Sequence, residues 1–347
     1  MPLSPPPWAT PRSLTVVVCA YTAERWTLLS SCLSSLREQD PRPDQIVLVV
    51  DHNDELLARS RAAFGDEFEI IANQGRRGLS SARNTGVGVA RGDIVAFVDD
   101  DATPQVGWSK RLMDAYDPTT AGVGGSARPI WESGDPRWFP AEFLWVVGCT
   151  WAGQPRERSR VRNFIGANMS LRRSVLLEIG GFRDGIGRIG RNPVGGEETE
   201  ICIRISQTWP TCALILEPSL VVDHSVPSQR ASLSYFVHRC WAEGTSKALV
   251  SRSVGHRDGL AEERSHAARV LPRGVARGLR DAMHGDPHGL ARAAAILCGL
   301  AVTTAGFLVG SVRRAELASL GPSAVPSAVP SAGAGDTKTA DAVTVAG

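Results

Sequence analysis

Four short apolar runs rich in β-branched residues, LTVVVCA (14–20), IVLVV (46–50), EIIA within FEIIAN (68–73) and IVAFV within DIVAFV (93–98), alternate with segments of helical period. Between the first two, LLSSCLSSLREQ sets Leu28, Leu29, Cys32, Leu33 and Leu36 at helical spacing. Between the last two, GLSSARNTGVGVARG predicts a helix opened by Ser80 or Ser81 as N-cap. Apolar strands joined by helices of this length predict an α/β chain with a mostly parallel central sheet flanked by helices.

Ligands of such sheets bind beyond the carboxyl ends of the strands. Asp51 follows IVLVV, and Asp99, Asp100 and Asp101 follow IVAFV, so two strands deliver acids to one edge. Three adjacent carboxylates cost energy unless a cation, hydrogen bonds or a raised pKa relieves them, or they are simply solvated in a turn. Mg²⁺ or Mn²⁺ suits an oxygen-rich site of this kind, with Asp99 and Asp101 as a D-x-D pair and Asp100 between them. Such a cation would neutralise a diphosphate leaving group, which fits phosphoryl and glycosyl transfer alike. The chain contains no G-x-x-x-x-G-K-[ST] motif, and GVGVARG follows no strand, so its glycines read as close helix packing rather than a dinucleotide fingerprint.

A second acidic group lies in GGEETEICIR (195–204). Glu197 and Glu198 suit a helix N-terminus, where the helix dipole favours negative charge. Glu198 borders the buried stripe formed by Ile201, Cys202 and Ile205; burial would raise its pKa toward general-base use, while the dipole opposes that shift. Glu200 and Arg204 have the spacing of a helical salt bridge. His224, after the apolar run in LVVDHSVP, reads equally as a metal or phosphate ligand or as an ordinary strand-end histidine. A formal net charge of +2 gives no global support for nucleic-acid binding. The seven cysteines, without CxxC spacing, argue against a disulfide framework or a zinc site.

Taken together, VVVCAYTAER, VLVVDHND, NQGRRGLSSARNTGVGVARGDIVAFVDDD, NFIGANMSLRRSVLLEIGGF and GGEETEICIR resemble, in order, the inverting family 2 glycosyltransferases of the GT-A, Rossmann-like fold. The resemblance runs from Leu14 to His224. It implies a nucleotide-diphospho-sugar donor, with a UDP-linked sugar the leading expectation, and Ala20, Tyr21, Thr22, Glu24 and Asp51 beside the base and ribose. Gly78, Ser81, Arg83, Asn84, Asp99 and Asp100 would line the rest of the donor site. Asp101, Asp99 and His224 would hold the metal, and Gly180, Gly181, Phe182, Glu197 and Arg204 would lie on the acceptor side. Glu198 stands where the family has a catalytic aspartate, and HND follows Asp51 in place of the usual small and hydroxyl residues. A nucleotidyltransferase or a catalytically silent nucleotide-sugar-binding scaffold are the competing readings of the same edge.

The organisation expected is a disordered 1–13, a catalytic domain over 14–228 and a helical, basic and aromatic extension over 229–290. An apolar helix over 291–314 and a disordered Pro/Ser/Ala tail over 315–347 would follow. From Gln229 to Arg280 there are ten Lys/Arg against four Asp/Glu, and the 20 residues between Arg292 and Arg313 carry no charge, close to the length that crosses a bilayer. Nothing at the N-terminus reads as a signal peptide, so the expectation is a cytoplasmic catalytic domain with a C-terminal segment that spans, lies on or avoids the membrane. The stretch RCWAEGTSKA resembles relatives acting on polyprenyl phosphates. That places a lipid phosphate beside glycans and small molecules as candidate acceptors.

Overall fold

A computed structural model describes residues 8–188, 195–255, 263 and 265–312; the expected tail, residues 313–314 and the first seven residues lie outside them. Nine strands form one sheet: β1 (Leu14–Ala20), β2 (Gln45–Val50), β3 (Glu69–Ala72), β4 (Ile94–Asp99), β5 (Ala102–Pro104), β6 (Thr120–Trp131), β7 (Ser159–Arg160), β8 (Asn168–Arg172) and β9 (Ala213–Val226). Their order is β3-β2-β1-β4-β8-β6-β9-β5, with β7 paired to β9. The four strands read from the apolar runs pair in parallel as expected. The other half is mixed: β8 runs antiparallel to both β4 and β6, whereas β6 and β9 are parallel.

Helices α1 (Trp26–Arg37), α2 (Asp54–Phe64), α3 (Leu79–Val89), α4 (Trp108–Asp114), α5 (Arg173–Glu178) and α6 (Glu197–Thr208) flank this sheet. Both faces are buried, which is why β1, β2 and β4 are apolar at nearly every position. Val16 and Val18 pack on one side with Leu29 and Leu33 of α1, and Val17 packs on the other with Phe97 and Ile201. Truncating a ring such as Phe97, 1% exposed, would cost about 3–5 kcal/mol. Gly86 is where α3 touches β1, since a Cβ there would meet Val17 Cγ1 at 2.5 Å.

Three sequence expectations change. The α3 cap is Gly78, at φ 138°, and both Ser80 and Ser81 fall inside the helix. Residues 8–13 are described and packed: the Arg172 guanidinium lies 5.1 Å from the Trp8 ring, and Trp8 N donates to Pro118 O. The final apolar helix, α9 (His288–Val312), begins before 291 because Asp286 Oδ1 accepts from His288 N and two Asp286 and Asp281 carboxylates hold Arg292 in its first turns. It packs with α7 (Leu233–Val254) and α8 (Leu271–Met283) as a helical layer against the sheet domain.

Candidate active site

The parallel register brings the ends of three strands together: Cys19 of β1 pairs with Val49 of β2 and with Asp99 of β4. Asp51 lies just past β2 and is 5% exposed. Its Oδ1 accepts from Asn73 Nδ2 at 2.7 Å and its Oδ2 from Gly78 N at 3.0 Å. Asn73, just past β3, was not singled out by sequence, although it ends the third parallel strand at the same edge. Its Oδ1 also accepts from Ser81 and Thr85, so it fixes the start of α3. The HND that follows β2 is a structural turn. His52 takes φ 50° and Asn53 caps α2 through Leu56 N while donating to Tyr21 O. Ala20 is buried, Tyr21 and Thr22 are half-buried, and Glu24 is exposed; Thr22 Oγ1 accepts from Glu24 N.

The acidic turn sets three carboxylates against four basic side chains. Asp99 is half-buried and lies 3.5 Å from Arg83 Nη2. Asp100 Oδ1 accepts from Arg25 Nη1 at 2.8 Å, and the same nitrogen lies 3.0 Å from Asp101 Oδ2. Asp101 Oδ1 is 3.2 Å from His224 Nε2, and Arg230 Nη2 stands 3.8 Å from Oδ2. Ladder pairing of β5 with β9 sets Ala102 opposite His224, which brings the imidazole to the turn. Neither Arg25 nor Arg230 was singled out by sequence, because each reaches the turn from a distant segment.

These contacts set the protonation states. Burial and the neighbouring Asp101 push the Asp100 carboxyl up to about 7 against the pull of Arg25. For Asp101, burial is overcome by His224, Arg25 and Arg230, and the carboxyl stays well below its usual range. For His224, burial opposes the charged ring, but Asp101 raises it to about 10. One donor atom each from Asp99, Asp101 and His224 lies within 4.8 Å of the others. Two carboxylates and an imidazole suit Mg²⁺ or Mn²⁺, and the buried Asp100 Oδ2 has no hydrogen-bond partner, so the residues fit a hard divalent cation.

Arg83, 2% exposed, joins this turn to α6. Nη1 donates to Glu197 Oε1 at 2.9 Å and Nη2 to Gly166 O at 3.1 Å, and the guanidinium lies over the Phe97 and Phe182 rings. Burial works against its charge, but Glu197 and Asp99 hold the pKa above the ordinary arginine value. Gly196, at φ 102°, starts α6 and leaves Glu198 half-buried beside Glu197. Burial first, and then the Glu197 charge, push Glu198 up to about 8, outweighing the bond from its own backbone and the pull of Arg83.

Several expected acceptor-side and donor-side residues instead hold the frame. Phe182 is fully buried, edge-to-face with Phe97 at 5.3 Å, and presents no surface to a ligand. Gly180 and Gly181 turn the chain at φ 76° and 68°, and Arg204 donates to Ile179 O and Gly181 O while pairing with Glu200 at 2.7 Å. Glu197 is a buried partner of Arg83. Asn84 spends its amide on Phe182, donating to its O and accepting from its N.

Comparison with known proteins agrees with this geometry. The sequence profile described as Glycosyl transferase family 2 matches residues 15–180. The chain is 36% identical over 242 residues to glucosyl-dolichyl phosphate glucuronosyltransferase of Haloferax volcanii, covering 68% of this chain and 77% of that protein. It is 27% identical to succinoglycan biosynthesis protein ExoM of Rhizobium meliloti, covering 63% and 62%. Its fold is similar to that of the mannosyltransferase PcManGT from Pyrobaculum calidifontis in complex with GDP-Man and Mn²⁺, with a TM-score of 0.56, 19% identity and coverage of 88% and 89%. With the acids at the strand ends and most of a 36%-identical glycosyltransferase spanned, the chain belongs to glycosyl transferase family 2.

Proposed function

We propose that this glycosyltransferase moves a sugar from a nucleotide-diphospho-sugar, with UDP-linked donors first to be tried, to a hydroxyl of a lipid-linked acceptor, with inversion. The observation that carries the reading is Glu198: a half-buried carboxyl with a raised pKa whose neighbour Glu197 is tied through Arg83 to Asp99. Base and cation-binding acids thus sit on one rigid frame. The lipid-linked acceptor draws support from the dolichyl phosphate named in the Haloferax volcanii relative. The apolar α9 supports a catalytic domain held at a membrane.

Asp99, Asp101 and His224 would hold Mg²⁺ or Mn²⁺, which supplies Lewis-acid stabilisation of the diphosphate when bound. Glu198 takes the proton from the acceptor hydroxyl as its oxygen bonds to the anomeric carbon, and the bond from that carbon to the phosphate oxygen breaks. The electron pair leaves with the nucleoside diphosphate. Arg25 and Arg230 place positive charge beside the turn where the diphosphate would lie. Glutamate is one methylene longer than the family's aspartate, and Gly196 sets the backbone from which it reaches.

Glu198→Gln tests the assignment. Transfer should be lost while calorimetry shows donor binding unchanged; an active Glu198→Gln enzyme would remove Glu198 as base.

A further inference from the structure

We propose that the C-terminal helical layer lies in the plane of an anionic membrane surface and does not cross it. By length and composition α9 is able to span: 25 residues, about 37 Å at the helical rise, containing an 18-residue stretch with a mean hydropathy of 2.0. Its inner face, however, is locked to its neighbours by glycine contacts. A Cβ on Gly244 of α7 would meet Thr303 O at 2.1 Å, one on Gly306 would meet Trp241 O at 2.5 Å, and one on Gly299 would meet Phe143 Cε1 at 2.4 Å. Gly278 of α8 and Gly289 of α9 touch in the same way. Trp241 faces Gly306 and Thr245 faces Gly310, so α7 and α9 run side by side in one direction. Crossing the bilayer would break this seam or drag along α7, whose Glu243 and Lys247 form ion pairs within the protein.

The outer face of α9 is the reverse of a soluble surface helix. Leu290, Ala294, Leu297, Ala301, Thr304 and Leu308 are exposed at spacings of four and three residues, with no charge among them. Leu297 and Leu308 are 57% and 59% exposed, and Trp241 of α7, 40% exposed, continues the apolar surface. An apolar groove lined by Leu233, Val237, Trp241 and Val302 lies between the two helices.

Charge selects the occupant. Arg273 and Arg280 are exposed on α8, the helix packed along the first turns of α9, and Arg269 precedes them on the same face. An exposed apolar face on one helix, with arginines exposed on the helix packed beside it, suits an interfacial layer in which side chains enter the acyl boundary and guanidinium groups meet anionic headgroups. The same α7 that turns Trp241 outward buries Arg239 on its inner side. The membrane face and the protein interior therefore share one rigid helix. This inference rests on the helical layer alone and stands whichever acceptor the enzyme uses.

Flotation of the full chain with phosphatidylcholine vesicles, with and without phosphatidylglycerol, tests it. The chain should float with anionic vesicles, at least tenfold less with neutral ones, and should be released by alkaline carbonate. The double variant L297E/L308E should lose vesicle binding at an unchanged melting temperature and with unchanged donor hydrolysis. Failure to float, equal binding to neutral vesicles, retention after carbonate, which marks a spanning helix, or normal flotation of L297E/L308E would each overturn it. So would a stable dimer in solution that buries the Leu297 face and excludes vesicles.

Discussion

The guanidinium of Arg83 sits 2.9 Å from the Glu197 carboxylate across 114 residues of sequence, and both groups are buried. Removing one member of such a pair strands the other charge, at a cost of about 3–5 kcal/mol. Arg83→Met should lower stability in urea by that order, and Glu197→Gln in the same background should recover part of it. A double-mutant cycle measures the coupling, expected at about 0.5–3 kcal/mol. Strict additivity would show that the pair is not energetically linked.

Glu198→Gln should lower the transfer rate by about a thousandfold, within the usual range for loss of a general base. Donor affinity should not move. Glu198→Asp restores the carboxylate on a shorter arm, and single-turnover rates should place it between the wild type and the glutamine variant.

The pH profile should carry the same residue. A base raised to about 8 must lose its proton to work, so kcat/KM should climb with pH on a limb lying near that value. Stability moves the other way. Between the ordinary 4.5 and about 8 the folded chain holds more of this proton than the unfolded chain, so the contribution of Glu198 to stability falls as pH rises through that window. Glu198→Gln should flatten this slope in thermal melts at pH 5 and 8.

Asp101→Asn should weaken Mn²⁺-dependent donor binding by at least about 10–100-fold, the loss that even outer-shell changes produce at metal sites. Calorimetry with and without EDTA reads it directly. Equal affinity in both conditions for the wild type would exclude a metal-dependent donor site.

Arg25→Ala should tighten binding of Mn²⁺ alone, because the guanidinium already lies between Asp100 and Asp101. A tenfold change corresponds to about 1.4 kcal/mol. Titration of the cation without nucleotide, in both proteins, provides the comparison.

Much of the sheet edge was legible because parallel strands buried on both faces are written as continuous β-branched runs. Asp51 and Asp99 to Asp101 could be placed from those runs alone. The mixed half was not legible, since β8 meets β4 through antiparallel pairings such as Ile94 with Arg172 that no local pattern encodes. Local pattern also failed where tertiary contact decides a side chain's partner. Glu197 and Glu198 are adjacent glutamates in sequence; Arg83 takes the first and leaves the second half-buried. Phe182 looked like part of a turn at the acceptor, but its ring belongs to the core beside Phe97. Arg25 was invisible for the same reason, since one arginine among many has no periodic signature, whereas Asn73 could have been found from its place at the end of the third apolar run.

The Arg25 contact gives the acidic turn a property beyond neutrality. Arg25 already bridges Asp100 and Asp101, so a cation entering there would have to displace a guanidinium from those two carboxylates. A free ion offers the displaced Arg25 nothing in return. An ion arriving on a diphosphate would bring new oxygens for that guanidinium, so the contact would favour the chelate over its parts.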